Sequence, residues 1–196
     1  MRQALLMKAA AAAAVIGGLA LAGCTTTPPN EPQSAAANSS KRQAINSSVD
    51  ATLSRLYTTV PGSRELVAKS RGVLVFPSVL QAGFILGAQT GNGVLRVGGS
   101  TVGYYNTSSL SIGLQAGAQS KAVIFLFMTQ DALDKFRSTD GWSAGADASV
   151  AVVKIGANGA IDSNTVQSPI EAIVLTNAGL MGDLSVNGTK VTRINP

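Results

Sequence analysis

The chain of 196 residues has no histidine, and its single cysteine is Cys24. Those two absences exclude Ser-His-Asp and Cys-His catalytic sets, histidine-ligated metal centres and any intramolecular disulfide. Charge is scarce as well, with Asp, Glu, Lys and Arg together at 13% and a net charge of +5. Setting aside Arg2 and Lys8 near the N-terminus leaves +3, which is too little for a nucleic-acid footprint and enough for a weak attraction to an anionic membrane surface. Long apolar runs are missing too: Ala9 to Leu21 is an uncharged stretch of only 13 residues, too short to span a bilayer. What remains is 45% hydrophobic with 21 glycines, the composition of one small, well-buried domain. These exclusions predict a protein that is not an enzyme and holds no cofactor and no metal.

The order of features at the front is that of a secretory signal. Arg2 and Lys8 precede the apolar run, and Leu21-Ala22-Gly23-Cys24 follows it, a sequence similar to the lipobox of bacterial lipoproteins. There the cysteine becomes the lipidated first residue of the mature chain. The expected organisation is a signal peptide over 1–23, lipidated Cys24 and a flexible tether over 24–40, and a single domain over 41–196. Thr25–Ser40 contains three prolines and no leucine, isoleucine, valine or aromatic residue, so it cannot offset its ordering entropy by burial. Because two or more acyl chains anchor stably where one does so marginally, Cys24 predicts membrane attachment in the cell envelope. Thr25, in place of aspartate, favours the outer membrane, facing the periplasm or the surface.

From Lys41 the pattern turns helical, with Ile45, Val49, Leu53, Leu56, Tyr57 and Val60 on one stripe. Pro61-Gly62 ends it, Ser63 is the expected N-cap of a short second helix through Ser70, and Gly72 its expected stop. Arg55, Arg64, Lys69 and Arg71 make a basic edge here and are the candidate residues for an anionic lipid headgroup. Beyond Gly72 the reading is mostly β. It comprises a short strand at 73–76 closed by Pro77, a strand from Ala82 that turns at Gly91-Asn92-Gly93, an alternating strand from Ser109 to Gln119, and a doubly apolar central strand at 123–128. Thr129 caps a helix over 131–137, and Asp131 and Asp134, one turn apart on it, read as a solvated face. A third alternating strand follows over 144–152, then a strand from Pro169 to Thr176 and a hairpin at Asn187-Gly188. The fold class is α+β: a strongly curled antiparallel sheet, barrel-like in tendency, with glycine-rich strands packed against N-terminal helices and one further helix.

Gly-Ala-Gln at 87–89 is echoed at 117–119. Neither copy leads into a helix or a GxxxxGK[ST] run, so neither is a phosphate loop. Alternation places Gly87 and Gln89, then Gly113, Gln115, Gly117 and Gln119, then Gly145 and Asp147 each on one strand face. Gln89, Gln115, Gln119 and Asp147 are therefore candidates for a satisfied polar core or for a small cavity that takes a ligand.

Several stretches resemble the SYLF-domain family: GVLVFP at 72–77, AGF at 82–84, GNGVL at 91–95, YYN at 104–106, GLQAGAQ at 113–119, FMTQDALDKF at 127–136, GADASVAV at 145–152 and GLM at 179–181. The resemblance runs from about Ile45 to Ile194 and suggests the bacterial lipoprotein branch of that family. It implies phosphoinositide or other anionic lipid binding, as in the animal proteins, or actin binding, as in the fungal ones. Membrane contact would fall to the Lys41–Arg71 region. The leading expectation is a non-enzymatic envelope lipoprotein that binds anionic phospholipid. The alternative is a protein-interaction module that recruits an envelope or host partner, including an actin-like one.

Overall fold

The computed structural model describes residues 35–82, 86–112, 119–154, 160–161, 167–176, 179–180 and 186–196. The expected signal segment over 1–23, Cys24 and Gln115 lie outside them. Three helices and nine strands follow in the order α1 (Ala35–Thr59), α2 (Ser63–Lys69), β1 (Gly72–Ala82), β2 (Leu86–Val97), β3 (Ser100–Ile112), β4 (Gln119–Phe127), α3 (Gln130–Ser138), β5 (Trp142–Ser143), β6 (Val150–Val152), β7 (Ile170–Thr176), β8 (Gly179–Leu180) and β9 (Lys190–Ile194). The sheet order is β5-β9-β3-β2-β1-β4-β7-β6, with β8 on β7, curled into a half-barrel. Every strand pairing is antiparallel except β6 with β7, which is parallel. The α+β class read from the sequence therefore holds. Among the described residues no helix is long and apolar enough to cross a membrane.

Alternation along the central strands divides the interior into two cores. Leu74 and Phe76 of β1, Phe125 and Phe127 of β4, and Ala172 and Val174 of β7 face α3 and β5, where they meet Leu133 and Phe136 of the helix and Trp142 of the strand. Val73 and Val75, Ile124 and Leu126, and Ile173 and Leu175 face the other way, onto Val49, Leu53, Leu56 and Val60 of the first helix and Leu66 of the second. β4 lies between β1 and β7 and is covered on both faces, as its doubly apolar sequence requires. α1 buries the stripe expected of it and begins at Ala35, six residues before the helical pattern becomes evident. The alanines there are strong helix formers, and the Ser39 and Ser40 hydroxyls donate back to the Ala36 carbonyl at 2.9 and 3.0 Å.

Several local expectations are corrected. Gly62, with φ 83°, is the N-cap of α2; Ser63 is buried in its first turn and donates to the carbonyls of Leu56 and Val60 at 3.1 and 2.6 Å. Gly72 opens β1 rather than stopping a helix, and a Cβ there would press on Leu133. Pro77 does not close β1, because it lies where the ladders to β2 and β4 both shift register and no N–H is needed. Gly91-Asn92-Gly93 is not a turn but the middle of β2. The hairpin turns at Gly98-Gly99, whose φ values of 57° and 82° match a type I′ turn. A Cβ on Gly93 would strike the Val75 carbonyl and the Phe76 ring, and one on Gly91 the Ser78 carbonyl, so these glycines let the β1 bulge pass close against β2. Residues 144–152 do not form one strand, since Gly145, at φ 86°, folds the chain back between β5 and β6. The hairpin expected at 187–188 keeps its turn, with Gly188 at φ 79°, while its first arm lies outside the described residues.

Candidate functional site: a basic cleft between the helices and the sheet

Helical spacing puts Asp50, Leu53, Ser54 and Tyr57 along one edge of α1. Opposite them stand Val67, Ala68 and Ser70 at the end of α2, Arg71, Gly72 and Val73 at the start of β1, and Arg96, Gly98 and Gly99 at the β2–β3 turn. Together they line a cleft of about 480 Å³. Arg96 is brought there by register, since it pairs across the ladder with Val73. Its Nη1 donates to Asp50 Oδ1 at 2.6 Å; the Arg96 side chain is 17% exposed and that of Asp50 64%. The buried Nε of Arg96 has no partner among the described residues. Two guanidinium groups against one carboxylate leave the cleft one positive charge in excess.

Tyr57 sits between the charged and apolar parts. The Arg64 guanidinium lies 4.4 Å from its ring centroid, a cation–π contact. Burial pushes its phenol above the ordinary value, with the nearby Arg64 and Arg96 charges pulling the other way, so at neutral pH it stays protonated and can donate. Leu53, Val67 and Val73 supply the apolar wall. The cleft thus combines cationic donors, of which Arg96 is held by Asp50, with a surface for hydrocarbon.

Of the four basic residues proposed from the sequence, Arg71 lines this cleft and Arg64 covers the outer side of Tyr57. Lys69 is exposed on the last turn of α2 and Arg55 half-buried on α1, and neither lines it. Arg96 and Asp50 were not foreseen; the signal for Arg96 was a lone charge inside the apolar run VLRV.

The glutamine set is differently arranged. Gln81 of β1 pairs in register with Gln89 on one side and Gln119 on the other, so a glutamine not foreseen stands between the two that were. Gln115 lies outside the described residues. Asp147 belongs to the turn between β5 and β6, where its Oδ2 accepts from Ser143 N at 2.6 Å and its carbonyl from Lys135 Nζ at 2.7 Å. It borders a second, more open hollow of about 440 Å³ beside α3. On α3, Asp134 accepts from Gln130 Nε2 at 2.9 Å. Among the described residues no three acidic or thiol side chains gather as a metal site would need.

Residues 108–195 match the family model described as Ysc84, Las17-binding protein actin regulator. This match agrees with the SYLF resemblance read from the sequence. The matched segment spans the end of β3, then β4, α3 and β5 to β9, and is similar to that family of binding domains. The cleft residues, from Asp50 to Gly99, all precede that segment. No curated protein matches the chain.

Proposed function

We propose that this SYLF-type protein is a non-enzymatic, lipid-anchored component of the cell envelope that binds anionic lipid headgroups through the cleft between α1, α2 and the β2–β3 turn. The observation that carries the reading is that Arg71 and Arg96 line the same apolar cleft, Arg96 with an Nε unpartnered among the described residues, flanked by Arg64 on Tyr57. Charge-assisted donors that lack a full set of internal acceptors are suited to phosphate oxygens. A lipid on Cys24, proposed from the Leu-Ala-Gly-Cys sequence, would hold the domain near the outer membrane and raise the local concentration of headgroups.

The test uses the chain from residue 24 onward carrying Cys24→Ser, so that neither an acyl anchor nor the apolar run at 9–21 contributes. It should sediment with phosphatidylglycerol-containing vesicles at low salt, remain in the supernatant with phosphatidylcholine alone, and be released by salt. Equal recovery in both supernatants would refute the reading. Mass spectrometry of protein from native membranes should show Cys24 as a lipidated N-terminus.

The family description, which names Las17 binding and actin regulation for its members, favours a second reading in which the domain recruits a protein partner. Vesicle binding absent under all conditions, together with a defined complex recovered from crosslinked envelopes, would support it.

A further inference from the structure

We infer that the cleft accepts a single-chain amphiphile with one negative charge at its head, such as a fatty acid or a lysophospholipid, taken out of the membrane rather than touched at its surface. This rests on the headgroup reading above and makes it more specific. At about 30 Å³ per non-hydrogen atom, the liquid-water share, 480 Å³ holds on the order of 16 atoms. That is one acyl chain with a carboxylate head, as in myristate; a lysophospholipid, at about 30 such atoms, would fit its chain and leave its outer glycerol in solvent, and a two-chain phospholipid, at about 45, is roughly three times too large. The volume also lies in the range of small-molecule sites, where an apolar lining carries a few placed polar groups.

Charge selects the head. Arg71 and Arg96 against Asp50 leave one uncompensated positive charge, which a monoanion neutralises and a dianion would overshoot. Arg96 is the receiving group: Asp50 takes its Nη1 while its buried Nε has no partner among the described residues, and a buried donor without an acceptor costs free energy that an incoming oxygen relieves. The chain then runs along Leu53, Val67 and Val73.

The test is titration of the chain from residue 24 onward carrying Cys24→Ser, by native mass spectrometry and calorimetry, with myristate, lysomyristoylphosphatidylglycerol, monomyristoylglycerol and inorganic phosphate. The inference predicts one-to-one binding of both charged amphiphiles, roughly tenfold weaker binding of the uncharged one, as loss of a charged hydrogen bond implies, and no retained complex with phosphate. Binding of only one of the two charged amphiphiles would identify the head as carboxylate or phosphodiester and still support the cleft. Arg96→Gln should lower the affinity for both by about the same factor. Ala68→Trp, on an exposed lining residue of α2, should abolish uptake with the fold intact. Failure of both charged amphiphiles to bind, or uptake unchanged in Ala68→Trp, overturns the inference. If vesicles still capture the protein in that case, the headgroup reading survives alone; if amphiphiles bind and vesicles do not, the headgroup reading is the one that fails.

Discussion

The Arg96 guanidinium and the Asp50 carboxylate meet at 2.6 Å across 46 residues of sequence, tying the end of β2 to the middle of α1. With Asp50 mostly exposed, such a pair adds at most about 1 kcal/mol to stability. Its larger effect is on the cleft, where Asp50 competes with any incoming anion. Asp50→Asn should shift the melting temperature by no more than about 2–4 °C and tighten binding to anionic vesicles. Weaker vesicle binding in that variant would show that Asp50 helps to hold the ligand.

Glu171 is a different case, 1% exposed on β7, with Oε1 accepting from Ser168 N at 3.0 Å and Oε2 unpartnered among the described residues. Burial pushes its carboxyl above the ordinary range, and the backbone donors at Ser168 and Gln167 only partly oppose that. A raised folded-state pKa means that its contribution is fully present below the unfolded carboxylate value and is lost as pH rises through the folded one. Denaturant unfolding should therefore show stability declining over that window. Glu171→Gln should flatten the decline; an unchanged profile would exclude Glu171 as its source.

Gly93, in the middle of β2, and Gly99, in the turn that follows it, serve different ends. Gly93→Ala pushes a methyl into the Val75 carbonyl and the Phe76 ring and should cost about 3 kcal/mol or more. Gly99→Ala meets open space and bears only the left-handed backbone penalty of about 1–2 kcal/mol at φ 82°. Chemical denaturation of the two variants gives the ranking directly, and equal losses would contradict the close approach at the β1 bulge.

Sequence periodicity revealed what local burial decides. The Val49, Leu53 and Leu56 stripe, the doubly apolar β4 and the Thr129 cap, which accepts from Ala132 N at 3.2 Å, were all legible. Turns were less so, because glycine marks both tight turns and close packing. Gly91 and Gly93 are packing glycines, Gly98 and Gly99 the turn, and the dipeptides alone do not distinguish them. Arg71 was visible as part of a basic cluster. Its partnership with Arg96 depends on the β1–β2 register and on how α1 crosses the sheet, neither of which is encoded near either residue.

The Thr129 cap offers a check on α3 apart from the cleft. Thr129→Ala should cost about 1 kcal/mol and leave vesicle binding unchanged. A loss of vesicle binding there would move the lipid site towards the hollow beside α3.

The most direct measurement is vesicle sedimentation of the Cys24→Ser chain with Arg71→Gln and Arg96→Gln introduced together. If the cleft holds the headgroup, affinity for phosphatidylglycerol vesicles drops by roughly a hundredfold, two charged hydrogen-bonding groups having been removed, while circular dichroism stays that of the parent. Sedimentation equal to that of the parent chain would contradict the account and place the contact elsewhere on the molecule.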